Sequence, residues 1–240
     1  MRIIAKIETK TGYAVKGRKL EGIRNIGDPS DLARKYYDQG SDEIFFIDSV
    51  ASLYGRATLD EVVSKVSETA FIPMCVGGGI RNLKDCKKMF ESGADKIALN
   101  TILFSDISIL QKASEVYGSQ AIVVEVQAKK NENNKGYVCL CEYGREYTGK
   151  DLSEWLKYLN SFNIGEIHLI SVDHDGMSKG VDKNLIKLAR DYVNVPLVYS
   201  GGFNKKKDDL NWLRNHLEGL AVASSFHSGE DIASLSQRNN

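Results

Sequence analysis

Cysteine, proline, net charge and long apolar runs are all scarce in this chain of 240 residues. Its 32 basic and 32 acidic side chains cancel, which argues against a nucleic-acid-binding protein with its basic excess and against an acidic disordered tail. The longest apolar runs, such as Ile44–Ile47, are far too short to span a membrane. The N-terminus is charged by its sixth residue and has no signal-peptide core. We therefore expect a cytoplasmic protein that binds neither nucleic acid nor membrane.

The few cysteines fit the same compartment. Cys75, Cys86, Cys139 and Cys141 form no Cys-x-x-Cys pair, and no histidine stands at zinc-ligand spacing from them. Cys139 and Cys141 would share one face of a strand, but two ligands do not make a metal site. We expect four reduced thiols, no metal and no cofactor.

Short Val/Ile-rich segments alternate with amphipathic segments along the whole chain, which predicts an α/β fold. Eight strands with intervening helices predict one (β/α)8 TIM barrel that fills residues 1–240. The predicted strands are Arg2–Glu8, Glu43–Asp48, Ile72–Gly77, Lys96–Asn100, Ala121–Gln127, Glu166–Ser171, Val195–Ser200 and Gly219–Ala223. The predicted helices are Pro29–Gln39, Leu59–Thr69, Leu83–Ser92, Ile107–Tyr117, Leu152–Phe162, Lys183–Tyr192 and Lys206–Leu217.

One insertion interrupts this alternation, at about residues 130–147. It begins with a polar turn and continues as alternating Tyr-Val-Cys-Leu-Cys-Glu-Tyr. Alternation of this kind predicts a small hairpin above the fifth strand.

The chain also repeats itself at an offset of 123 residues. Three coincident offsets predict a barrel made of two four-stranded halves. The matching pairs are Ile72–Gly78 with Val195–Gly201, Gly40–Ile44 with Asn163–Ile167, and Lys96–Thr101 with Gly219–Ser224.

Each half carries the same phosphate-binding features where its strands end. Glycines let backbone N–H groups approach an anion, and the following helix adds its N-terminal dipole. One such turn alone would be read as a tight turn, but two at equal spacing favour two phosphate sites. We therefore expect a substrate with a phosphate at each end. The features are Gly77–Gly79 and Ser200–Gly202 after strands three and seven, and Asn100-Thr101 and Ala223-Ser224 after strands four and eight.

These segments resemble the cyclase-subunit (HisF) family of imidazole glycerol phosphate synthase over nearly the whole chain. The resemblance implies a barrel that docks on a HisH-like glutaminase and receives ammonia at its N-terminal face. The ammonia then crosses the barrel and meets a bisphosphorylated ribosyl intermediate at the C-terminal face. The segments that carry the resemblance are Arg2–Ala5, Val15–Gly17, Gly27–Pro29, Val76–Ile80, Asp95-Lys96, Asn100-Thr101, Gly118–Ala121, Asp173–Gly176 and Ser200–Gly202.

The resemblance also implies roles for particular residues. The family's charged ammonia gate corresponds to Arg2, Glu43, Lys96 and Glu166, all four of which keep the expected sign. Asp95 and Gln120 match positions near the glutaminase interface, and Lys16 matches a lysine that contacts substrate. The matching substrate- and phosphate-binding positions are Gly79, Asn100, Thr101, Asp175, Gly176, Gly202, Ala223 and Ser224.

The family's catalytic pair is altered. Two aspartates, ending strands one and five, act as its general acid and base, and these positions hold Glu8 and Gln127 here. Glu8 keeps a carboxyl group that can still transfer a proton, whereas the amide of Gln127 cannot act as an acid or base near neutral pH. Losing one of two positioned proton-transfer groups costs about 10²–10⁴-fold in rate.

Side-chain alternation adds polar groups inside the barrel. If Arg2 and Glu8 face the lumen, Lys6 does too, and Glu125 and His168 follow from Gln127 and Glu166. We predict an ion pair between Lys6 and Glu125, because a buried unpaired charge costs several kcal/mol, with His168 one layer away. The pair is either an inert filler of the lumen or part of a polar path for ammonia or protons, which Phe45 would narrow.

Three functions fit these residues. The first is a HisF-like barrel that takes ammonia from a glutaminase and supplies a separate sugar amidotransferase in surface-polysaccharide (lipopolysaccharide) biosynthesis. The second is a genuine cyclase of histidine biosynthesis that works with Glu8 alone or with Glu125 as substitute acid. The third is a non-catalytic barrel that binds phosphosugars as a scaffold. The related isomerase (HisA) family fits no better, because it also uses two aspartates at these strand ends.

Overall fold

The Val/Ile-rich segments of the sequence form the strands of a closed barrel in the computed structural model, which describes residues 1–50, 60–132 and 135–235. Eight parallel strands follow one another around the barrel, and the eighth pairs with the first. The predicted (β/α)8 barrel is therefore confirmed. The strands are β1 (Arg2–Lys10), β2 (Tyr13–Arg18), β3 (Glu21–Gly27), β4 (Glu43–Asp48), β5 (Met74–Gly77), β6 (Lys96–Leu99), β7 (Ile122–Lys130), β8 (Tyr137–Cys141), β9 (Glu146–Asp151), β10 (Glu166–Ser171), β11 (Leu197–Ser200) and β12 (Gly219–Val222).

Helices cover the outside of the barrel between its strands. They are α1 (Pro29–Asp38), α2 (Asp60–Ser67), α3 (Leu83–Glu91), α4 (Ser108–Tyr117), α5 (Leu152–Leu159), α6 (Lys183–Arg190), α7 (Leu210–Arg214) and α8 (Ser224–His227). Several begin at an aspartate or asparagine that accepts hydrogen bonds from the first turn, as Asp28, Asn82 and Asp151 do. In the part of the chain that is described, no helix is long and apolar enough to span a bilayer.

The helix bounds agree with the sequence prediction to within three residues except at two places. The segment predicted as Lys206–Leu217 is helical only over Leu210–Arg214, because Asp209 caps the helix at Asn211 and Trp212. The short helix α8 was not predicted, since four residues are too few to show a helical period. Leu59, the predicted start of α2, lies outside the described residues.

Two hairpins stand on the C-terminal face of the barrel. The predicted insertion is an antiparallel extension of β7 by β8 and β9, and it runs to Asp151 rather than ending at Tyr147. The second hairpin, made of β2 and β3, pairs with the end of β1 and was missed. Its β3 is exposed along most of its length, so it lacks the apolar alternation that marks a strand in the sequence.

The two halves of the barrel repeat in detail. A side chain at Gly78 would place its Cβ 2.4 Å from the carbonyl oxygen of Asp48, and one at Gly201 would lie 2.6 Å from that of Ser171. Both glycines have positive φ angles, +98° and +116°. The carboxylates of Asp95 and Glu218 likewise accept hydrogen bonds from Met74 and Leu197, at 2.8 and 2.7 Å. The two members of each pair are 123 residues apart, so both halves of the barrel have the same backbone arrangement at these positions.

Replacing Gly78 with alanine is expected to lower the free energy of unfolding by at least about 2 kcal/mol. The new Cβ would clash with the backbone of Asp48, and the alanine would have to adopt a left-handed backbone conformation. Gly12 is the matched control, because it has a φ of +83° but a Cβ added there would meet no atom within 4 Å, so Gly12→Ala costs only about 1 kcal/mol of backbone strain. Urea denaturation of both variants checks this, and equal losses would contradict the close approach at Gly78.

Candidate functional site

Four charged side chains meet at the N-terminal end of the barrel. Arg2 hydrogen bonds to both Glu43 and Glu166. Lys96 completes the ring, with its Nζ 2.9 Å from Glu43 and 3.7 Å from Glu166. Each residue is the first of its strand, so the ring spans the bottom of the lumen. The structure therefore brings together all four residues that the resemblance assigns to a gate.

The ring is balanced, and its two carboxylates are buried. The side chains of Glu43 and Glu166 are only 2% and 6% exposed. Burial lowers the pKa of Arg2, but Glu166 and Glu43 outweigh burial and raise it overall. Burial also raises the pKa of Glu43 despite its two cationic neighbours. Two cations facing two carboxylates close the lumen without a net charge.

Asp95 and Gln120 lie at the same end of the barrel, just before β6 and β7. Both are exposed, and the carboxylate of Asp95 also caps the backbone of Met74. The side chain of Gln120 makes only a long hydrogen bond, 3.5 Å, to the carbonyl of Tyr117. A partner that covers this face would therefore meet both side chains beside the ring.

The lumen above the ring is apolar before it becomes polar. Ile4, Phe45, Cys75, Val123 and Val198 are all buried in one interior cluster. The ring of Phe45 then packs edge-on against His168, with the centroids 4.9 Å apart. This aromatic pair separates the apolar lower lumen from the polar groups above it.

His168 connects two polar side chains inside the lumen. Its Nε2 lies 2.9 Å from the hydroxyl of Ser200, and its Nδ1 lies 3.5 Å from a carboxylate oxygen of Glu125. Burial lowers the pKa of His168, opposed by Glu125. Burial also raises the pKa of Glu125, but His168, Lys6 and Gln127 outweigh it and lower that pKa overall.

The predicted ion pair between Lys6 and Glu125 is wrong. Both side chains are buried, as predicted, but Lys6 Nζ lies 3.1 Å from Glu8, two residues along its own strand. Glu125 instead contacts His168, which stands directly opposite it in the β7–β10 register rather than one layer away. The error arose because alternation fixes which side chains face the lumen but not which of them a long, flexible lysine reaches.

Glu8 is the centre of a buried ion cluster that we call the Glu8 cluster, made of Lys6, Glu8, Lys16 and Asp175. Lys16 Nζ lies 2.7 Å from Glu8 and 2.8 Å from Asp175. Glu8 is wholly buried and Lys6 is 1% exposed. Burial raises the pKa of Glu8, but Lys16 and Lys6 outweigh it and lower that pKa to about 2. Glu8 is therefore a fixed carboxylate at neutral pH rather than a proton donor.

Gln127 faces the same mouth of the barrel from β7. Its Nε2 donates to Glu125 at 2.7 Å. Its Oε1 is buried and has no hydrogen-bond partner among the described residues. The two positions that the resemblance assigns to an acid–base pair thus hold one ionised carboxylate bound by lysines and one amide with a free acceptor.

The predicted phosphate corner of the first half opens into a cavity of about 310 Å³, which we call the Gln127 cavity. Gly79, Asn100 and Thr101, which the resemblance assigns to substrate binding, line it. The Asn100 amide also donates to the carbonyls of Glu125 and Leu140, and the Thr101 hydroxyl accepts from the backbone of Glu142. Both side chains therefore also hold the β8–β9 hairpin in place. The other lining residues are Ile47, Asp48, Gly78, Ile80, Arg81, Ala98, Leu99, Ile102, Ser105, Glu125, Gln127, Glu142 and Tyr143.

The predicted phosphate corner of the second half is arranged differently. Asp175, Gly176, Gly202, Ala223 and Ser224 line an inner cleft with space of only about 20 Å³. Gly176 and Ser224 also border a cavity of about 550 Å³ on the outer side, which we call the basic groove. The groove is lined further by Lys16, Gly17, Arg18, Glu21, Gly22, Arg24, Ile26, Ser178, His227 and Ser228.

The tips of the two hairpins meet over the mouth. Leu20 and Tyr143 are buried in the same interior cluster, and a Cβ at Gly144 would lie 2.8 Å from the Leu20 side chain. Leu20 and Tyr143 have positive φ angles, +63° and +55°. Burial, Glu8 and Asp175 raise the pKa of the Tyr143 phenol, so the hydroxyl stays protonated beside the Glu8 cluster.

Sequence reasoning missed Tyr143, Arg18, Arg24 and His227. The Tyr143-Gly144 step inside the alternating insertion marks a turn, and that signal was available. No local pattern joins Arg18 and Arg24 to His227, because β2, β3 and α8 come together only when the barrel closes.

The comparisons with known proteins define the class to which this barrel belongs. The model of the family described as "Histidine biosynthesis protein" matches residues 2–231. The chain therefore belongs to the histidine-biosynthesis barrels.

Within that class the chain belongs to the HisF family. It is 39% identical over 208 residues to the imidazole glycerol phosphate synthase subunit HisF of Legionella pneumophila, covering 87% of this chain and 98% of the relative. It is 39% identical over 230 residues to HisF of Clostridium beijerinckii, covering 95% and 91%. Identity to HisF of Campylobacter concisus is 38% over 229 residues, covering 95% and 90%.

Replacing Glu8 with glutamine is expected to lower the free energy of unfolding at pH 7 by about 3–5 kcal/mol. The change leaves two buried lysines without their shared carboxylate. Because the folded pKa of Glu8 is depressed to about 2 from 4.5, its contribution is complete above pH 4.5 and is lost as pH falls towards 2.

Urea denaturation between pH 7 and pH 3 measures this difference. The gap between Glu8→Gln and the unaltered protein should narrow as pH falls below 4.5. The exposed Glu146→Gln is the control and should show almost no difference at any pH. A gap that stays constant down to pH 3 would contradict the depressed pKa.

Proposed function

We propose that this chain is the barrel subunit of a glutamine amidotransferase complex, in which it conducts ammonia but does not itself make imidazole glycerol phosphate efficiently. One observation carries the proposal. The charged ring at the base of the lumen is complete, whereas the acid–base pair at its mouth is replaced and its remaining carboxylate is held by two lysines. The entrance to the path is kept while the chemistry at its end is altered.

The lumen suits a small neutral molecule such as ammonia. Its lower part is apolar, so an ammonium ion would lose its hydration shell there without compensation. The balanced ring below offers no net charge to trap an ion. Higher up, Glu125, His168 and Ser200 offer hydrogen-bonding groups at the level where the Gln127 cavity opens.

The proposed partner is a HisH-like glutaminase that docks on the N-terminal face, where Asp95 and Gln120 are exposed. The proposed destination of the ammonia is a separate sugar amidotransferase that builds amide or amidino groups in surface-polysaccharide (lipopolysaccharide) biosynthesis. That destination follows from the family resemblance together with the altered catalytic pair. The complex would be cytoplasmic.

A genuine cyclase is the second candidate, and the 37–39% identity to HisF proteins over most of the chain favours it. In that case either Glu8 works alone or the missing acid is Glu125, which accepts a hydrogen bond from Gln127. Its lowered pKa opposes this role, since the group stays ionised near neutral pH.

A cyclase assay separates the two candidates. With the bisphosphorylated ribulosyl substrate and high ammonium at alkaline pH, we expect imidazole glycerol phosphate formation about 10²–10⁴-fold slower than with a two-aspartate HisF. The substitution Gln127→Asp, alone or with Glu8→Asp, should recover part of that rate. The Clostridium beijerinckii protein measured alongside sets the reference, and equal turnover by the unaltered chain would refute the proposal.

Binding to a glutaminase tests the proposed partner. A HisH-like glutaminase from the same genome should form a 1:1 complex with this chain, and Gln120→Arg should weaken it about tenfold or more, since a buried unpaired charge costs about 1.4 kcal/mol or more at an interface. Gln111→Arg, on the outer face of α4, is the matched control and should leave affinity unchanged. Calorimetry measures both, and equal weakening or no complex would contradict the docking face.

A further inference from the structure

The Gln127 cavity carries an excess of negative charge. Three carboxylates, those of Asp48, Glu125 and Glu142, line it, and Arg81 is the one cationic side chain among its described lining residues. The Nε of Arg81 lies 3.6 Å from a carboxylate oxygen of Asp85, which does not line the cavity. A cation placed in this cavity would therefore be attracted, whereas a phosphate dianion would face carboxylates at close range.

Glu125 keeps its negative charge at neutral pH. Burial raises its pKa, but His168, Lys6 and Gln127 outweigh burial and lower that pKa overall. Lys6 places its ammonium group 3.1 Å from Glu8. Burial lowers the pKa of His168, so its imidazole is neutral at pH 7. Neither neighbour forms an ion pair with Glu125 at that pH, so its charge is available to a ligand.

The amide of Gln127 leaves its oxygen without a donor. Its nitrogen lies 2.7 Å from a carboxylate oxygen of Glu125. An ionised carboxylate only accepts hydrogen bonds, so this contact requires the NH₂ group and fixes the position of the amide oxygen. The side chain is 2% exposed, and its Oε1 is buried with no hydrogen-bond partner among the described residues. A buried acceptor of this kind is unfavourable unless a ligand supplies the missing donor.

Glu142 adds a second unpartnered acceptor to the same cavity. Its Oε2 is buried and has no hydrogen-bond partner within the described structure. The amide of Asn100, which also lines the cavity, already donates to the carbonyls of Glu125 and Leu140. A ligand that satisfies the free acceptors therefore has to bring N–H groups of its own.

The size and the walls of the cavity favour an organic ligand over a bare ion. Its volume of about 310 Å³ is that of a small-molecule pocket. Among the described residues, no group of three acidic, histidine or cysteine side chains could hold a metal ion. Apolar side chains line the cavity beside its acceptors, and they are Ile47, Ile80, Ala98, Leu99 and Ile102.

We propose that the Gln127 cavity binds a small organic cation with an amidinium or primary ammonium group. The amide oxygen of Gln127 and the carboxylates of Glu125 and Glu142 accept its N–H groups, while its carbon skeleton packs on the apolar walls. The site needs only this cavity, so the inference goes beyond the proposed function and does not rest on it. The cavity lies where the lumen reaches the mouth, so its occupant stands at the end of the path proposed for ammonia.

Calorimetry on the isolated chain at pH 7 and constant ionic strength tests this with three probes of one shape. Benzamidine is a cation, benzamide is neutral and benzoate is an anion. Benzamidine should bind at one site per chain, at least about tenfold more tightly than benzamide, because hydrogen bonds between ionised groups are the stronger ones. Benzoate should not bind. Ammonium chloride should compete with benzamidine at least about tenfold more weakly, since it leaves the apolar walls uncovered.

A matched pair of variants locates the site. Glu142→Gln should weaken benzamidine binding about tenfold, the loss of one charge-assisted contact. Glu146→Gln removes the same charge from an exposed position on the same hairpin and should leave binding unchanged. Glu142→Lys should abolish binding, because it places a cation in the cavity. Circular dichroism and thermal melting confirm that the variants fold, and the three-probe series needs no variant.

Four results would overturn the inference. They are benzamide or benzoate binding as tightly as benzamidine, equal weakening by Glu142→Gln and Glu146→Gln, ammonium competing as strongly as benzamidine binds, and no binding of benzamidine up to millimolar concentration. Because the measurement needs neither a glutaminase nor a cyclase substrate, its failure leaves the proposed ammonia path untouched. Loss of the glutaminase complex, conversely, would leave this site standing.

Discussion

The carboxylate of Glu8 is the contact on which the organisation of the barrel mouth depends. It joins Lys6 from its own strand to Lys16 from the β2–β3 hairpin, and through Lys16 it reaches Asp175 after β10. Two lysines and two carboxylates neutralise one another in a largely buried site. Removing any one of them would leave a buried charge uncompensated, so the cluster fixes the hairpin against the barrel.

The same contact underlies our proposal that this chain conducts ammonia but makes imidazole glycerol phosphate only slowly. A path for ammonia would need a lumen without net charge and an entrance that a partner covers, and the ring of Arg2, Glu43, Lys96 and Glu166 would supply the first of these. Proton transfer at the mouth needs groups that can change their ionisation state. Glu8 is locked in one state, and Gln127 has no proton to exchange near neutral pH.

The sequence predicted the barrel well because its signals are periodic and repeated. All eight barrel strands, the two glycine corners at Gly78 and Gly201 and the four-residue ring come from alternation, spacing and resemblance. The contacts of flexible side chains could not be predicted in this way. Lys6 is the clearest case, because its ammonium group binds Glu8 on its own strand rather than a residue that the register places opposite it. The β2–β3 hairpin escaped detection because its residues are mostly exposed and carry no apolar pattern. The difference between the two predicted phosphate corners could not be predicted from the sequence either. The sequence repeats at both corners, whereas the cavities beside them differ in size.

The charge balance of the chain is local as well as global. Two cations face two carboxylates at the ring, and two more of each form the Glu8 cluster at the mouth.

Direct titration of the Glu8 carboxyl carbon by ¹³C NMR, assigned with the Glu8→Gln variant, tests the central claim that this carboxyl group stays ionised at neutral pH. The account predicts an apparent pKa of about 2. A pKa near 4.5 or above would mean that Glu8 is free to exchange a proton, and it would contradict the account.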